Sequence, residues 1–222
     1  MFNLPHRPAC TGNHPGPDGQ EVIPNTAERH RAPSTPKRPS HFFALRPAPG
    51  AVGELREARG GSGLGGSPVR DERLHVTLFW IGYDHPGTPA IVAAAREAAA
   101  TVAAAAFRIS FDQLVAAEDR LLLRQSEPQE HLHAFQRRLA AALARRGVRA
   151  ERRWCFDPHV TLRRGPSGAA AAAVDPIAWT ATEFVLIHSL PAPFRHRELG
   201  RWPLRAVGDQ ETLSSPSSSP SQ

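Results

Sequence analysis

The sequence predicts an α+β fold with antiparallel sheets, built as two similar lobes. Strand-like and helix-like stretches mix without the strict alternation that marks a parallel sheet. The tetrapeptide His-Val-Thr-Leu occurs twice, at 75–78 and 159–162, each time in a strand-like setting. The order of elements around the two copies gives each lobe one such strand.

The folded unit is expected to span 40–206. The head, 1–39, holds eight prolines and almost no aliphatic pattern, and the tail, 207–222, is rich in Ser and Pro. Neither buries enough apolar surface to repay ordering, so both are expected to be disordered. Within the unit, "SHFFALRPAP" (40–49) reads as a short strand stopped by proline, and "GAVGELREAR" (50–59) as a short helix. "GGSGLGGSP" (60–68) contains G-x-G-x-x-G at Gly61, Gly63 and Gly66. A dinucleotide fingerprint needs a strand before it and a helix opening on it. Here a helical segment precedes and a strand follows, so the stretch is read as a linker.

"RLHVTLFWIG" (73–82) is a strand, and the Ala-rich stretch 88–107, with Thr88 and Pro89 at its start, a helix. "FRISFDQL" (107–114) and "RLLLRQ" (120–125) read as a hairpin. Residues 128–147 form an amphipathic helix with Leu132, Phe135, Leu139 and Leu143 as the buried stripe and Gly147 as its stop. "FDPHVTLRRG" (156–165) is the second motif strand. A low-complexity connector, "PSGAAAAAVDP", follows, then strands at 181–190 and 194–204 with a turn at Pro191–Pro193.

Composition narrows the chemistry. The formal net charge is +6, carried by 26 Arg and a single Lys, Lys37, in the head. The basic excess suits an anionic ligand such as phosphate or RNA. With no lysine in the folded unit, lysyl-adduct ligation, Schiff-base chemistry and a P-loop are excluded. Two cysteines, Cys10 and Cys155, make neither a disulfide framework nor a zinc site. There is no apolar run of membrane-spanning length and no hydrophobic signal core, so a soluble cytoplasmic protein without membrane association, and a monomer, is expected.

The repeated word matters for its alternation. In a strand, His75 and Thr77 point to one face and Val76 and Leu78 to the other; the same holds for His159 and Thr161 against Val160 and Leu162. Two such strands brought together give a cleft with two imidazoles and two hydroxyls. That inventory suits hydrolysis of a cyclic phosphodiester. A neutral imidazole takes a proton from water, an imidazolium protonates the departing sugar oxygen, and the hydroxyls bind non-bridging oxygens. No carboxylate or Cys cluster stands at ligand spacing, so no metal and no cofactor is expected.

With "HFFAL", "LHVTLFWIG", "FDPHVTLRR" and "FVLIHSL…LGRWPL" around it, the paired H-x-T-x pattern resembles the two-histidine (2H) phosphoesterase superfamily. The likeness is to the RNA 2',3'-cyclic phosphodiesterases, historically called 2'-5' RNA ligases, and it covers about 40–205. It implies two lobes related by a pseudo-twofold axis, antiparallel sheets with flanking helices, and a central cleft. It implies conversion of RNA 2',3'-cyclic phosphate ends to 2'-phosphates. By position His75 is then the general acid (proton donor), His159 the general base (proton acceptor), and Thr77 and Thr161 bind phosphate. Relatives often carry an arginine after the second motif, where Arg164 stands; simple alternation instead puts Arg163 on the His159 face, and both stay open.

Two alternatives accompany this reading. One keeps the chemistry with a small cyclic nucleotide or cyclic ADP-ribose phosphate as substrate, and the other is a non-catalytic binder of RNA ends. The remaining conspicuous residues take structural readings. His131 and His133 are read as surface residues and His188 and His196 as structural ones, with the cleft edge as the alternative for either; the four tryptophans are core or cleft wall, with base stacking as the alternative for one near the motifs, and Arg145, Arg146, Arg152 and Arg153 are solvated, with RNA steering as the lesser reading.

Overall fold

The computed structural model describes residues 38–61, 65–117, 119–165, 171–191 and 194–205. The head assigned to 1–39 falls outside these residues up to Lys37, as does the tail. In chain order the elements are β1 (Ser40–Leu45), α1 (Pro49–Gly61), β2 (Ser67–Pro68), β3 (Val76–Tyr83), α2 (Thr88–Ala100), β4 (Phe107–Ala117), β5 (Arg120–Arg124), α3 (Glu130–Arg145), β6 (His159–Arg164), β7 (Ala171–Ala181), β8 (Glu183–Pro191) and β9 (Phe194–Pro203).

Among the described residues the strands form one antiparallel sheet in the order β7-β4-β5-β6-β3-β1-β8-β9, with β2 added on β6. The two lobes are therefore two halves of a continuous sheet. They meet at β3 and β6, whose ladder consists of one pair, Val76 with Val160. Those valines occupy the same place in the two copies of the tetrapeptide, so the pseudo-twofold axis passes between them. It relates β3 to β6, β1 to β5, β8 to β4 and β9 to β7.

The helices supply apolar stripes to one face of the sheet. Leu132, Phe135, Leu139 and Leu143 of α3 are all buried, as their spacing requires. They join Ala51 and Leu55 of α1 and Ala95, Ala98 and Ala99 of α2 in a single core with Phe43, Leu45, Val76, Leu78, Val160 and Leu162. Gly147 takes φ +73°, the left-handed turn that ends α3. A smaller apolar cluster, Phe42, Ala44, Val185 and Ile187 with Trp80 against it, lies apart from this core. Because 42/43 and 44/45 alternate along β1, that cluster marks the sheet face turned away from the helices.

Three segments differ from the sequence expectation. The helix expected over 88–107 stops at Ala100, where the Thr101 hydroxyl donates to the Ala98 carbonyl. The alanines beyond are strong helix formers, but Ala104 and Ala106 exchange backbone hydrogen bonds with Arg205 instead. The expected connector after the second motif is, from Ala171 on, the edge strand β7 paired with β4. Its Pro176 falls where that ladder shifts register, a place where the missing N–H costs nothing. The end of the Gly-rich linker is ordered as β2, which pairs Ser67 with Arg164 and Pro68 with Arg163.

Candidate active site

Val76, Leu78, Val160 and Leu162 are fully buried, while His75, Thr77, His159 and Thr161 remain partly accessible on the opposite face. The antiparallel pair Val76–Val160 fixes the rest: one residue to either side, His75 comes opposite Thr161 and Thr77 opposite His159. Each imidazole thus sits beside the hydroxyl of the other motif.

The two histidines are held in the same way. His75 Nδ1 lies 2.7 Å from the carbonyl of Arg73, and His159 Nδ1 lies 2.8 Å from that of Asp157, in both cases two residues upstream. A carbonyl only accepts, so Nδ1 carries the hydrogen and donates it. Nε2 is then the nitrogen left for exchange with a substrate.

A bulge explains the two arginines. The ladder between β5 and β6 pairs Leu121 with Arg163 and Leu122 with Thr161, skipping Leu162. The extra residue reverses the alternation. Arg164, paired with Arg120, therefore shares a face with His159 and Thr161, and Arg163 turns to the helix side. There the Arg163 guanidinium donates to the carbonyls of Gly65, Gly66 and Arg59 at 3.1, 2.7 and 3.4 Å. Of the two alternatives, Arg164 is the one the structure brings to the cleft, and Arg163 anchors the Gly-rich segment. The first motif repeats the device: β1 pairs Phe43 with Phe79 and Ala44 with Thr77, skipping Leu78. Trp80 then occupies the place in that half that Arg164 occupies in the other. The fourth letter of the repeated word is the bulge residue in both copies.

The same face carries residues that single-strand reading missed. Arg120 and Arg124 flank Leu122 on β5, opposite Arg164 and His159. His196, read first as structural with the cleft edge as its alternative, stands in the cleft: its ring centroid is 5.1 Å from that of His75, edge to face. Phe42 stacks on His75 at 4.8 Å and meets His196 at 5.5 Å. The cleft is thus aromatic on the β1 side and cationic on the β5 side. The signal for Arg120 and Arg124 was present as period-two spacing in "RLLLR". Nothing local announces His196.

Electrostatics follow from this crowding. Burial, with the neighbouring positive groups of His159, Arg164 and Arg73, pushes His75 down to about 4, against the pull of its carbonyl partner. Burial lowers His159 as well, opposed by the Asp157 carbonyl and carboxylate and reinforced by Arg124 and Arg120. His196 is pushed to about 3 by burial, His75 and Arg73. At neutral pH the imidazoles of His75 and His196 are therefore uncharged, and the positive charge of the cleft is that of Arg73, Arg164, Arg120 beside Asp119 and Arg124 beside Asp157. His131 is exposed, and His133 packs edge-on against Phe156 at 5.1 Å.

A pseudo-symmetric antiparallel sheet with one His-x-Thr strand from each half defines the class of a two-histidine phosphoesterase. The model of the 2'-5' RNA ligase superfamily matches residues 46–193, and the chain belongs to that family. Its class of activity is accordingly that of a phosphodiester-processing enzyme. Among solved structures it is similar to LigT of E. coli complexed with 3'-AMP, at 24% identity over 76% of this chain and 99% of that one, with a TM-score of 0.60. A second likeness is to TT0787 of Thermus thermophilus, at 20% identity over 76% of this chain and 99% of that one, with a TM-score of 0.57. At these identities both likenesses speak for the fold. No curated protein matches the chain.

Proposed function

We propose that the protein hydrolyses RNA 2',3'-cyclic phosphate ends to 2'-phosphates by metal-independent acid/base catalysis. The observation that carries this reading is the pairing of the two His-x-Thr strands about Val76–Val160, each imidazole fixed at Nδ1 with Nε2 left over. His159 Nε2 accepts a proton from a water molecule, whose oxygen attacks phosphorus. The bond from phosphorus to the 3'-oxygen breaks, and His75, protonated at Nε2, returns a proton to that oxygen. The Thr77 and Thr161 hydroxyls donate to the non-bridging oxygens, where negative charge builds, and Arg164 balances it. General acid and base catalysis of this kind contributes about 10²–10⁴-fold per group.

The asymmetry of the cleft supports a nucleotide lying across it. Trp80, partly accessible, offers a ring face for a terminal base, and Arg120 and Arg124, the latter paired with Asp157, offer charge to backbone phosphates. LigT, similar in fold, has been crystallised with 3'-AMP and with phosphate, which agrees with a nucleotide phosphate as ligand. The cationic side favours an RNA end over a small cyclic nucleotide or cyclic ADP-ribose phosphate.

The test is product analysis of an oligonucleotide ending in a 2',3'-cyclic phosphate, incubated with chelator-treated protein alongside the cyclic mononucleotide. The expected result is a 2'-phosphate end, with larger kcat/KM for the oligonucleotide. A 3'-phosphate product reverses the choice of bond, and faster turnover of the mononucleotide moves the substrate to the small-molecule class. Binding without any product makes the protein a binder of RNA ends.

A further inference from the structure

We propose that His41, Asp84 and His188 form a site for one divalent transition-metal ion of the zinc class, outside the cleft. The three residues are far apart in sequence and come from three strands. His41 on β1 and His188 on β8 are direct cross-strand partners, and Asp84 directly follows β3. The Asp84 backbone is tied to the start of β1: its N–H donates to the Pro39 carbonyl, and its carbonyl accepts from the Arg38 guanidinium. Since Phe42 faces the cleft, His41 lies on the other face of β1.

The two distances from the imidazoles to Asp84 suit coordination. His41 Nδ1 is 2.9 Å from one oxygen of Asp84, and His188 Nε2 is 3.1 Å from the other. The candidate ligand atoms all lie within 4.8 Å of one another. Ligand atoms about 2.1 Å from a common ion stand about 3.0 Å apart at a right angle and about 3.4 Å apart at the tetrahedral angle. Two imidazole nitrogens and a carboxylate are a donor set for zinc and its neighbours, and no thiolate is present to call for softer metals.

Burial gives the independent reason. His41 is 5% exposed, yet its Nδ1 and the nearby Asp84 Oδ1 are both buried without a hydrogen bond. At 2.9 Å they are near enough, but their directions do not align, so each keeps an unused lone pair or proton inside the protein. Leaving such a group unpaired in the protein interior is unfavourable. A cation binding to the deprotonated His41 Nδ1 and to Asp84 Oδ1 removes both penalties at once. The rings of His41 and His188 now stack at 4.2 Å and 12°. Bringing both nitrogens onto one ion takes a turn about the Cβ–Cγ bond of His188, a torsion with a broad energy minimum.

The experiment uses the full chain, stripped with a chelator and titrated with Co(II), whose d–d absorption reports protein nitrogen ligands. One equivalent is expected to bind with a visible band that Zn(II) displaces, and Zn(II) should raise the thermal midpoint. His188→Ala and Asp84→Asn should abolish the band and weaken binding by more than the roughly 10–100-fold typical of losing an outer-shell partner. The double variant His75→Ala/His159→Ala, which removes the cleft imidazoles, should keep it. Far-UV circular dichroism confirms folding of each variant, with His188→Gln replacing His188→Ala if the latter does not fold. Absence of the band in the parent chain, its survival in the Asp84 and His188 variants, or its loss in the cleft double variant each overturns the proposal. The cleft chemistry is unaffected by any of these outcomes, because the reading of the active site requires turnover in the chelator-treated chain.

Discussion

If His75 is the general acid, binding of a cyclic phosphate has to load it with a proton. In the free protein burial and the cleft arginines hold its imidazole at about 4. At pH 6 only about 1% of molecules then carry that proton, by the tenfold change in protonation per pH unit. A phosphate anion changes the balance. Two unit charges about 4 Å apart at an effective dielectric of 20 interact by about 4 kcal/mol, which is about three pH units at 1.36 kcal/mol each. The bound imidazole should therefore titrate near 7, and binding at pH 6 should take up nearly one proton. Isothermal titration calorimetry in two buffers of different ionisation enthalpy measures this directly. The His159→Ala variant prevents turnover during the titration, and a diester ligand has no second ionisation of its own. Uptake approaching one proton in His159→Ala, and its loss in His75→Gln/His159→Ala, is the expected pattern. No uptake, or equal uptake in both, would refute His75 as the donor.

Other consequences concern single residues. Replacing Arg164 by Ala should lower kcat/KM about 10–100-fold, the worth of a charge-assisted contact. Arg163→Ala should mainly lower stability, since it frees the carbonyls of Gly65, Gly66 and Arg59; steady-state kinetics beside urea unfolding separates the two. The cleft histidines also make the fold acid-sensitive. A histidine lowered by folding binds its proton more readily in the unfolded chain, so stability falls as pH drops below about 6.5 until the folded value is reached. For His75 and His196 those folded values are about 4 and about 3. Across this window each contributes up to about 1.4 kcal/mol per pH unit, and His196→Asn should remove one share of the slope in urea midpoints measured from pH 7 to 4.5. In the core, Leu139→Ala, at a fully buried position under the sheet, should cost about 2–5 kcal/mol in the same assay.

What the sequence revealed and what it hid follow from the range of each signal. The His/Thr faces were legible because alternation within a strand needs no partner, and the α3 stripe because helical spacing is equally local. The choice between Arg163 and Arg164 was not, because period-two counting assumes an unbroken ladder. The bulge at Leu162 exists only in the pairing of β5 with β6. His196 needed the knowledge that β9 reaches over β8 toward Phe42. The His41, Asp84 and His188 group is spread over three strands, so no ligand spacing could show it. Alanine misled twice, since it favours a helix yet ends α2 early, and reads as low complexity yet forms the edge strand β7.

The central claim is that the two histidines act as one acid/base pair across the pseudo-twofold axis. Its most direct test is the rate of cleavage of a 2',3'-cyclic-phosphate-ended oligonucleotide by the parent chain, His75→Ala, His159→Ala and the double variant. Each single variant should lose most of the rate and the double variant should be little worse, since residues working as one unit are non-additive. Near-parent activity in either single variant would contradict it.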